Sequence, residues 1–347
     1  MQNWINQVWY QGHWAKWFLL PLSALFWLIS FIRRALFSLG LKSTHTLPVP
    51  VVVVGNITAG GSGKTPTVIY LINLLRANGL KPGVVSRGYG GKIDGVASVT
   101  PLSLAADVGD EPLMIVTRTH VPMVVGSQRV LAAKKLLADF DVDVIICDDG
   151  LQHYALGRDI EIALVDGGRR YGNECLLPAG PLREGLWRLN TIDWIINNGG
   201  PVASVNSDNL TEHLMQLNPA PVCQVQSLNS VLLPPEDTDA QLALQQAPIT
   251  AMAGIGNPQR FFDSLAEQGY QLKQVVAFAD HQAYDKHQLI ALSRDTPLLM
   301  TEKDAVKCRD FALPNWWYLP VNAKLSTEFD TQFMSRMTQL IQLKKEI

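Results

Sequence analysis

Four consecutive valines, Val51–Val54, lead directly into the glycine-rich segment GNITAGGSGKTP (Gly55–Pro66). A strand that is apolar throughout belongs in a parallel sheet covered on both faces. In the segment after it, glycines let successive backbone N–H groups curl around an anion at the start of a helix. The sequence therefore predicts a strand, a phosphate loop and a helix near Pro66–Ala77, and this order restricts the chain to α/β architectures.

The loop predicts binding of a nucleoside triphosphate. The generic motif is GxxxxGK[ST]; its last three positions are present, whereas Thr58 replaces its first glycine. We expect Lys64 to contact the β- and γ-phosphates and the Thr65 hydroxyl to ligate Mg²⁺. A glycine-rich turn without a ligand is the alternative. The predicted nucleotide-binding residues are Gly60, Gly61, Ser62, Gly63, Lys64 and Thr65.

Two adjacent acids end the apolar run VDVIICDDG. Asp148 and Asp149 come at the carboxyl end of a predicted buried strand, where P-loop proteins place an acid that holds Mg²⁺. Either acid taken alone also fits an ordinary turn residue. We predict that both belong to a magnesium site.

Further apolar runs alternate with helical stretches: PGVVS, VPMVVG, DVDVIIC and IEIALVD. After the polar stretch PPEDTDAQ follow PITAMAG, LKQVVAF, PLLMT and WWYLPV. This alternation predicts βα units. The predicted fold is α/β, with two α/β/α domains facing a cleft, the first a P-loop NTPase-like parallel sheet, and an N-terminal membrane-interface helix. The predicted boundaries are 1–45 for the hydrophobic membrane-associating helix, 46–225 for the P-loop domain, 226–320 for a smaller α/β domain, and 321–347 for a C-terminal helix packing on the first domain.

The segment Trp17–Ile32, WFLLPLSALFWLISFI, contains no charged residue. It is short for a membrane span, which needs about 20 apolar residues, and no small-residue cleavage site follows it as in a secretory signal. On a helical wheel its few polar residues fall near one stripe, which is typical of a helix lying in a membrane interface. Packing into the protein's own core or into a dimer, and a true span or signal, are the alternatives.

Charge is unevenly distributed along the chain. Residues 1–93 contain nine Lys or Arg and no Asp or Glu, whereas the remainder has 20 basic and 31 acidic residues. A basic leading third indicates an anionic partner: phosphate, nucleic acid or a membrane surface. Nucleic acid is disfavoured because these charges flank an apolar helix rather than alternate with aromatic residues. The four cysteines form no CxxC pair, which disfavours a structural zinc.

The segment VGDEP (Val108–Pro112) offers a candidate general base. Asp110 and Glu111 are adjacent carboxylates that can divide the work, one on a metal and one on an acceptor hydroxyl. An ordinary acidic helix N-terminus is the alternative. TEKD (Thr301–Asp304) has the letters of a guanine-specifying motif in the wrong order, which disfavours a GTPase, and the loop lacks the additional early lysine of deviant-Walker ATPases.

Eight segments occur here in the order found in tetraacyldisaccharide 4'-kinases: GNITAGGSGKTP, SRGYGG, VGDEP, DDGLQHYALGRD, LLPAGPLREG, AGIGNPQRFF, FADH and TEKDAVKC. The chain resembles this family from its N-terminal helix to about Cys308. The resemblance implies a peripheral or monotopic enzyme on the cytoplasmic face of the Gram-negative inner membrane. It implies transfer of the γ-phosphoryl group of ATP, with Mg²⁺, to the 4'-hydroxyl of tetraacyldisaccharide 1-phosphate, a glycolipid, giving lipid IVA in lipid A biosynthesis.

The resemblance also implies roles for individual residues. Asp110 is the implied catalytic base and His281 of FADH its orienting partner, with Lys64 contributing to catalysis. Glu111 joins Thr65, Asp148 and Asp149 as an implied member of the magnesium network. The residues implied to line the cleft toward phosphate or sugar are Arg87, Tyr89, Gln152, His153 and Arg183, with a solvated basic loop as the alternative for Arg183. Because Asp110 and His281 fall on opposite sides of the predicted domain boundary, we expect their meeting to require domain approach.

A membrane-recruited P-loop switch ATPase is the second hypothesis. Such a protein releases phosphate to water, whereas a kinase transfers it to a glycolipid. The segment AGIGNPQ carries Gln259 where a dinucleotide fingerprint has its third glycine, so we interpret it as a βα turn.

Overall fold

A computed structural model describes residues 2–200, 212–227 and 237–346. The stretch PPEDTDAQ, which follows the predicted domain boundary at 225/226, begins within residues 228–236, which lie outside the described residues.

The helices and strands alternate along the chain. The helices are α1 (Gln2–Tyr10), α2 (Lys16–Ser38), α3 (Lys64–Ala77), α4 (Ala105–Val108), α5 (Asp110–Thr119), α6 (Arg129–Asp139), α7 (Thr238–Gln246), α8 (Pro258–Glu267), α9 (Lys286–Leu292), α10 (Glu302–Ala305) and α11 (Thr327–Lys345), with a 3₁₀ turn at Leu186–Thr191. The strands are β1 (Val51–Gly55), β2 (Pro82–Ser86), β3 (Val96–Ser98), β4 (Met123–Gly126), β5 (Val144–Asp148), β6 (Ile160–Asp166), β7 (Trp194–Asn198), β8 (Glu212–Pro219), β9 (Cys223–Gln224), β10 (Pro248–Ala253), β11 (Gln271–Ala277), β12 (Leu298–Thr301), β13 (Trp316–Leu319) and β14 (Val321–Lys324).

The chain folds into two compact units, each made of segments that are distant in the sequence. The first unit comprises Met1–Val85, Arg129–Gln216 and Lys324–Ile347, and the second comprises Ser86–Gln128 and Leu217–Ala323. The predicted linear boundaries stay a prediction, but residues 86–128 belong to the same compact unit as residues 217–323.

The first unit is built on parallel strands in the order β8-β7-β6-β1-β5-β2. β1 lies between β5 and β6, with Val54 opposite Asp148 and Ile162. Every residue of β1 is buried, as expected of a strand covered on both faces. Because β1 and β5 are parallel, the phosphate loop and the predicted acids after β5 emerge at the same edge of the sheet.

The second unit contains a five-stranded sheet in the order β11-β10-β12-β13-β9, with β9 antiparallel at one edge. Successive side chains alternate between the faces of a strand, so Met252 and Met300 pack in one apolar core while Ala251 and Leu299 pack in the other. The turn after β11 carries Asp280 and His281.

The N-terminal helix α2 leaves most of its apolar surface uncovered. The structure describes α2 completely, and Ser23 is its one buried residue, whereas Phe18 is 75% exposed and Ile29 is 59% exposed. Packing of α2 into the core of this chain is therefore excluded. By length and composition α2 is the one helix among the described residues that meets the requirement for crossing a membrane.

The predicted α/β class is confirmed, and most predicted strands begin and end within a few residues of the observed ones. The C-terminal helix α11 lies in the first unit, where Phe329 packs edge-on against Trp194 and Asp330 accepts a hydrogen bond from Tyr70 at 2.5 Å.

Candidate active site

The phosphate loop fills the turn between β1 and α3. Gly60 and Gly63 have φ values of 115° and 92°, in the region that glycine adopts without steric cost. A Cβ at Gly63 would lie 2.7 Å from the Asn198 amide nitrogen, so this position needs glycine for space as well. Pro66 lies in the first turn of α3, where a backbone N–H has no intrahelical partner to lose. The remaining first-turn N–H groups and the helix dipole suit a phosphate.

Two buried asparagines support the phosphate loop through hydrogen bonds from their side-chain amides. Asn56 donates from Nδ2 to the Gly60 carbonyl and to the Ser62 hydroxyl, both at 3.2 Å. Asn198 donates from Nδ2 to the Ser62 carbonyl at 3.2 Å. The loop backbone is therefore held in shape by the protein itself, which reduces the ordering cost of binding an anion.

Asp149 pairs with two cations beside this loop. Arg183 Nη1 lies 3.1 Å from each oxygen of the Asp149 carboxylate, and Lys64 Nζ lies 3.9 Å from one of them. Burial opposes ionisation of Asp149, but Lys64 and Arg183 outweigh it and lower the pKa of the carboxyl. Asp149 is therefore ionised at neutral pH and holds both basic groups, so Arg183 is not merely part of a solvated loop.

Asp148 and Thr65 supply the hard oxygen donors that Mg²⁺ prefers. Asp148 is buried at the end of β5, and Thr65 is buried in the first turn of α3. Within residues 2–200, 212–227 and 237–346, no three His, Cys, Asp or Glu side chains are grouped so that they could hold a metal by themselves. Nucleotide-bound Mg²⁺ needs only one or two protein carboxylates in addition to phosphate oxygens, so Asp148 and Thr65 fit a site that the nucleotide completes.

Gln152 connects the phosphate loop to a buried carboxylate. Its Nε2 donates to the Asn56 carbonyl at 3.2 Å and to Glu184 Oε2 at 2.8 Å. Glu184 also accepts a hydrogen bond from the Tyr154 hydroxyl. His153, in the same turn, is half-buried. Gln152 thus links the backbone at Asn56 to the Glu184 carboxylate and supports the phosphate loop structurally.

In the second unit, Asp110 and His281 form a hydrogen-bonded pair. His281 Nδ1 lies 3.1 Å and 3.0 Å from the two oxygens of the Asp110 carboxylate. Asp110 is the first residue of α5 and is buried. Burial opposes ionisation of Asp110, but His281 and Lys303 outweigh it and lower its pKa, while the hydrogen bond to Asp110 raises the pKa of His281. The pair therefore consists of an ionised carboxylate and an imidazole that carries a proton on Nδ1.

Lys303 lies among three carboxylates and this imidazole. Its Nζ is 3.1 Å from Glu111 Oε1, 3.0 Å from Asp280 Oδ1 and 3.8 Å from Asp110 Oδ2. It also lies 3.4 Å from His281 Nε2. Burial disfavours the charged ammonium, but the three carboxylates outweigh it and raise the pKa of Lys303. Lys303 is thus a permanent cation that offsets the repulsion between the acids.

Two further predicted residues belong to the second unit. The Tyr89 ring meets the His281 ring edge-on, with centroids 4.9 Å apart, and is 63% exposed. Gly109, with a φ of 93°, passes so close that a Cβ there would lie 2.7 Å from the Tyr89 carbonyl oxygen. Arg87 is exposed.

The expectation that Asp110 and His281 meet only through domain approach is wrong. Both residues belong to the second unit and are already hydrogen-bonded. The physical reason is that α5 lies in residues 86–128, which form one compact unit with the later segment that carries His281.

Sequence reasoning missed residues of both sites, among them Asp280 and the four that follow. Lys303 lies inside TEKDAVKC, whose letters indicate only an imperfect guanine motif and a family resemblance. Glu184 adjoins Arg183, and Asn56 adjoins the first glycine of the loop. Asn198, at the end of β7, has no signal in the sequence, because its contact with Ser62 spans 136 positions.

Three comparisons relate this chain to known proteins. The family model described as LpxK, tetraacyldisaccharide-1-P 4'-kinase, matches residues 15–338. A tetraacyldisaccharide 4'-kinase of Shewanella frigidimarina is 65% identical over 346 residues, covering 99% of this chain and 98% of that protein. Another of Shewanella denitrificans is 60% identical over 344 residues, covering 99% of this chain and 100% of that protein.

One solved structure is similar over nearly the whole chain. The crystal structure of "apo" form LpxK from Aquifex aeolicus in complex with ATP matches with a TM-score of 0.78 at 27% sequence identity. The match covers 94% of this chain and 99% of that chain.

Proposed function

This chain belongs to the tetraacyldisaccharide-1-P 4'-kinase family, and from that premise we propose how its residues carry out the reaction. The protein is an ATP-dependent lipid kinase of lipid A biosynthesis: it transfers the γ-phosphoryl group of ATP to the 4'-hydroxyl of tetraacyldisaccharide 1-phosphate. The observation that carries the assignment of roles is the Asp110–His281 pair, with 3.0 Å between Nδ1 and the carboxylate.

Asp110 is the general base of this proposal. It accepts a hydrogen bond from the 4'-hydroxyl and takes its proton as the new O–P bond forms, while the bond from the γ-phosphorus to the bridging oxygen breaks and ADP leaves. The transition state of phosphoryl transfer is loose, so the hydroxyl loses its proton late and the base acts mainly by positioning. A carboxylate with a lowered pKa is suited to this task because it stays ionised throughout the neutral pH range.

His281 is the positioning partner of Asp110. Its Nδ1–H holds the carboxylate in one orientation and stabilises its charge, and the Lys303 ammonium, 3.8 Å from Asp110 Oδ2, adds to this stabilisation. The ring edge of Tyr89 limits the rotation of His281. Tyr89 and Arg87 are also the residues of the second unit that we assign to the sugar or phosphate of the acceptor.

The phosphate loop and Lys64 bind the triphosphate. Backbone N–H groups at the start of α3 bind the phosphate oxygens, and Lys64 offsets their negative charge. When bound, Mg²⁺ neutralises charge on the β- and γ-phosphates, and Thr65 and Asp148 are the residues that would hold it. Asp149 and Glu111 remain proposed members of that network, although each is ion-paired, with Arg183 and Lys303 respectively.

Arg183, Gln152 and His153 complete the proposed assignments in the first unit. We assign Arg183 to a phosphate group, since it already offers a guanidinium beside Lys64. Gln152 supports the loop through Asn56 and Glu184, so its role is to position rather than to contact the acceptor. His153 stays a proposed acceptor contact.

The helix α2 brings the enzyme to its lipid substrate. Its exposed side chains include Trp17, Phe18 and Trp27, which suit the headgroup and upper acyl region of a bilayer. The Ser23 hydroxyl, near the middle of the apolar run, forms hydrogen bonds with the backbone of Leu176 and Ala179, in a loop that follows β6. A helix crossing the bilayer would carry this polar loop into the hydrocarbon, where exposed backbone is not tolerated. We therefore propose that α2 lies in the cytoplasmic interface of the inner membrane.

The experiment that tests the function follows the destination of phosphate. Purified protein is incubated in detergent micelles with γ-labelled ATP, Mg²⁺ and tetraacyldisaccharide 1-phosphate. We expect the label in a glycolipid product and no comparable hydrolysis without the acceptor. Label released to water at the same rate with and without acceptor would instead indicate a switch ATPase and overturn the proposal.

A second experiment tests the membrane role of α2. Phe18→Asp should lower association with anionic phospholipid vesicles by at least about tenfold, because a buried aromatic side chain contributes roughly 1.5–3 kcal/mol of transfer free energy. Leu242→Asp is the matched control, since Leu242 is likewise an apolar, exposed residue, on α7. Equal loss in both variants, or no loss in either, would contradict the assignment.

A further inference from the structure

The segment of residues 175–184, called here the connecting segment, pairs with the phosphate loop along one side. The Ala59 N–H donates to the Pro181 carbonyl at 2.7 Å, and the Arg183 N–H donates to the Ile57 carbonyl at 2.6 Å. Thr58 and Leu182 form an antiparallel bridge between these bonds. The connecting segment therefore fixes the backbone at the start of the phosphate loop.

The end of the connecting segment also reaches the second half of the nucleotide site. The Arg183 side chain binds both oxygens of Asp149, and Glu184 accepts the hydrogen bond from Gln152. A displacement of this segment would thus move the loop backbone, Asp149 and Gln152 together.

On its other side, the connecting segment is bound by helix α2. The Ser23 hydroxyl donates to the Leu176 carbonyl at 2.8 Å and accepts from the Ala179 N–H at 3.0 Å. Ser23 is 6% exposed, in a helix whose surface is otherwise open. Both bonds of this one hydroxyl go to the connecting segment.

Helix α1 binds the same segment through Asn173. The Asn173 Nδ2 donates to the Ala179 carbonyl at 2.9 Å and to the Val8 carbonyl at 3.1 Å. Its Oδ1 accepts from the Cys175 N–H at 3.1 Å, and the Trp9 indole donates to the Pro178 carbonyl at 3.0 Å.

Internal hydrogen bonds tie the connecting segment together as one unit. The Leu177 N–H donates to the Leu182 carbonyl at 2.8 Å, and the Leu182 N–H donates to the Cys175 carbonyl at 3.1 Å. Ala179 and Leu182 are fully buried. A shift at Ala179 is therefore passed to Leu182 rather than absorbed by a flexible turn.

We propose that Ser23 and Asn173 are positioning residues for ATP, acting through the connecting segment on the phosphate loop. The N-terminal helices are then part of the support of the nucleotide site, in addition to their contact with the membrane. This inference rests on the proposed role of the loop in binding ATP, and it adds a specific consequence: loss of the Ser23 hydroxyl weakens nucleotide binding without affecting the acceptor.

The test uses the full-length protein in detergent with a non-hydrolysable ATP analogue and Mg²⁺. Ser23→Ala and Asn173→Asp should each raise the Kd of the analogue by on the order of fivefold, a typical coupling between linked sites. Asn173→Asp keeps the oxygen that accepts from Cys175 but removes the N–H donors to Val8 and Ala179. The KM for ATP should rise in parallel, while the KM for the lipid acceptor and vesicle association stay unchanged. Ser23→Thr, which retains the hydroxyl, should restore most of the affinity.

Ser38→Ala is the matched control, because the Ser38 hydroxyl on the same helix is exposed and bonds to Ala35 of its own helix at 3.1 Å. Loss of thermal stability in both Ser23→Ala and Asn173→Asp with the Kd of the analogue unchanged would overturn the proposal, as would an increase confined to the KM for the lipid. Should Ser23→Ala not fold, Asn173→Asp and Ser23→Thr decide. If the wild type binds the analogue but does not phosphorylate the acceptor, the kinase function fails, while the Kd comparison still decides this inference.

Discussion

The phosphate loop and the acidic cluster around Asp110 are built by opposite means. The loop is one continuous stretch whose shape comes from glycine conformations and from neutral hydrogen bonds donated by Asn56 and Asn198. The cluster is assembled from the start of α5, from α10 and from the turn after β11, and it consists almost entirely of charged groups around Lys303. Backbone N–H groups suit a ligand whose charge is fixed, whereas a network of titratable groups suits a proton transfer.

This difference predicts different responses to mutation. Changes in the loop should alter ATP affinity together with turnover, because the triphosphate is bound before and during the reaction. Changes in the cluster should alter turnover with little effect on ATP affinity, because its proposed partner is the acceptor hydroxyl. A pair of variants, one from each region, therefore tests whether the division of labour is real.

The largest effect is expected for Asp110→Asn. Replacing the base with a neutral isostere should lower kcat by about 10²–10⁴, the usual contribution of general base catalysis, while the Kd for ATP stays within about twofold. Initial rates and equilibrium nucleotide binding measure the two quantities. Asp107→Asn, which makes the same chemical change three positions earlier in α4, is the control. A kcat close to that of the wild type would remove Asp110 from the role.

The next largest effect is expected for Lys64→Ala. Loss of the ammonium leaves phosphate charge uncompensated, so kcat/KM for ATP should fall by roughly 10²–10³ and the Kd for ATP should rise. Lys42→Ala, which removes an exposed cation from the basic leading third, should leave ATP binding unchanged. Intact ATP binding by Lys64→Ala would contradict the loop assignment.

A smaller effect is expected for Lys303→Met. Without the ammonium, the three carboxylates repel one another and Asp110 loses a positioning contact, so kcat should fall by about tenfold, as for other outer-shell partners of a site. Lys303→Arg should retain part of the activity. The control is Lys286→Met, an exposed lysine of α9. If Lys303→Met changed the Kd for ATP and not kcat, the cluster would have to be assigned to the nucleotide.

The smallest effect concerns the pH dependence of stability. The pKa of His281 is raised above 6.5, so its contribution is present below that value and is lost as the pH rises through the raised pKa. The pKa of Asp110 is lowered below 3.8, so its contribution is present above that value and is lost as the pH falls through the lowered pKa. The pair should therefore stabilise the fold most between about pH 4 and 6.5, by on the order of 1 kcal/mol.

His281→Asn tests this window, because asparagine tolerates the positive φ of 60° at this position. The difference in the free energy of unfolding between the wild type and this variant is measured by denaturant titration across the acidic, neutral and mildly alkaline range. We expect the difference to be largest inside the window and to shrink on both sides. A difference that grows steadily toward alkaline pH would have the wrong sign for this pair.

How much the sequence could predict follows from the same contrast. The β1 strand, the phosphate loop and α3 are contiguous, so the four consecutive valines and the glycines after them were enough to predict that Lys64 and Thr65 lie at the start of a helix after the loop. The acid–base pair joins residues 171 positions apart, so local patterns could only mark VGDEP as a possibility, and the resemblance supplied His281. Lys303 and Asn198 act through contacts far apart in the chain, and no local pattern records them.

The central claim is that Asp110 takes the proton of the acceptor hydroxyl. The most direct measurement is a crystal structure of the full-length protein with a non-hydrolysable ATP analogue, Mg²⁺ and the tetraacyldisaccharide acceptor. We predict the Asp110 carboxylate within hydrogen-bonding distance of the 4'-hydroxyl, roughly 2.6–3.2 Å or one bridging water away, with its bond to His281 intact. An Asp110 side chain directed away from both the 4'-hydroxyl and the γ-phosphate, with another group bonded to that hydroxyl, would contradict the account.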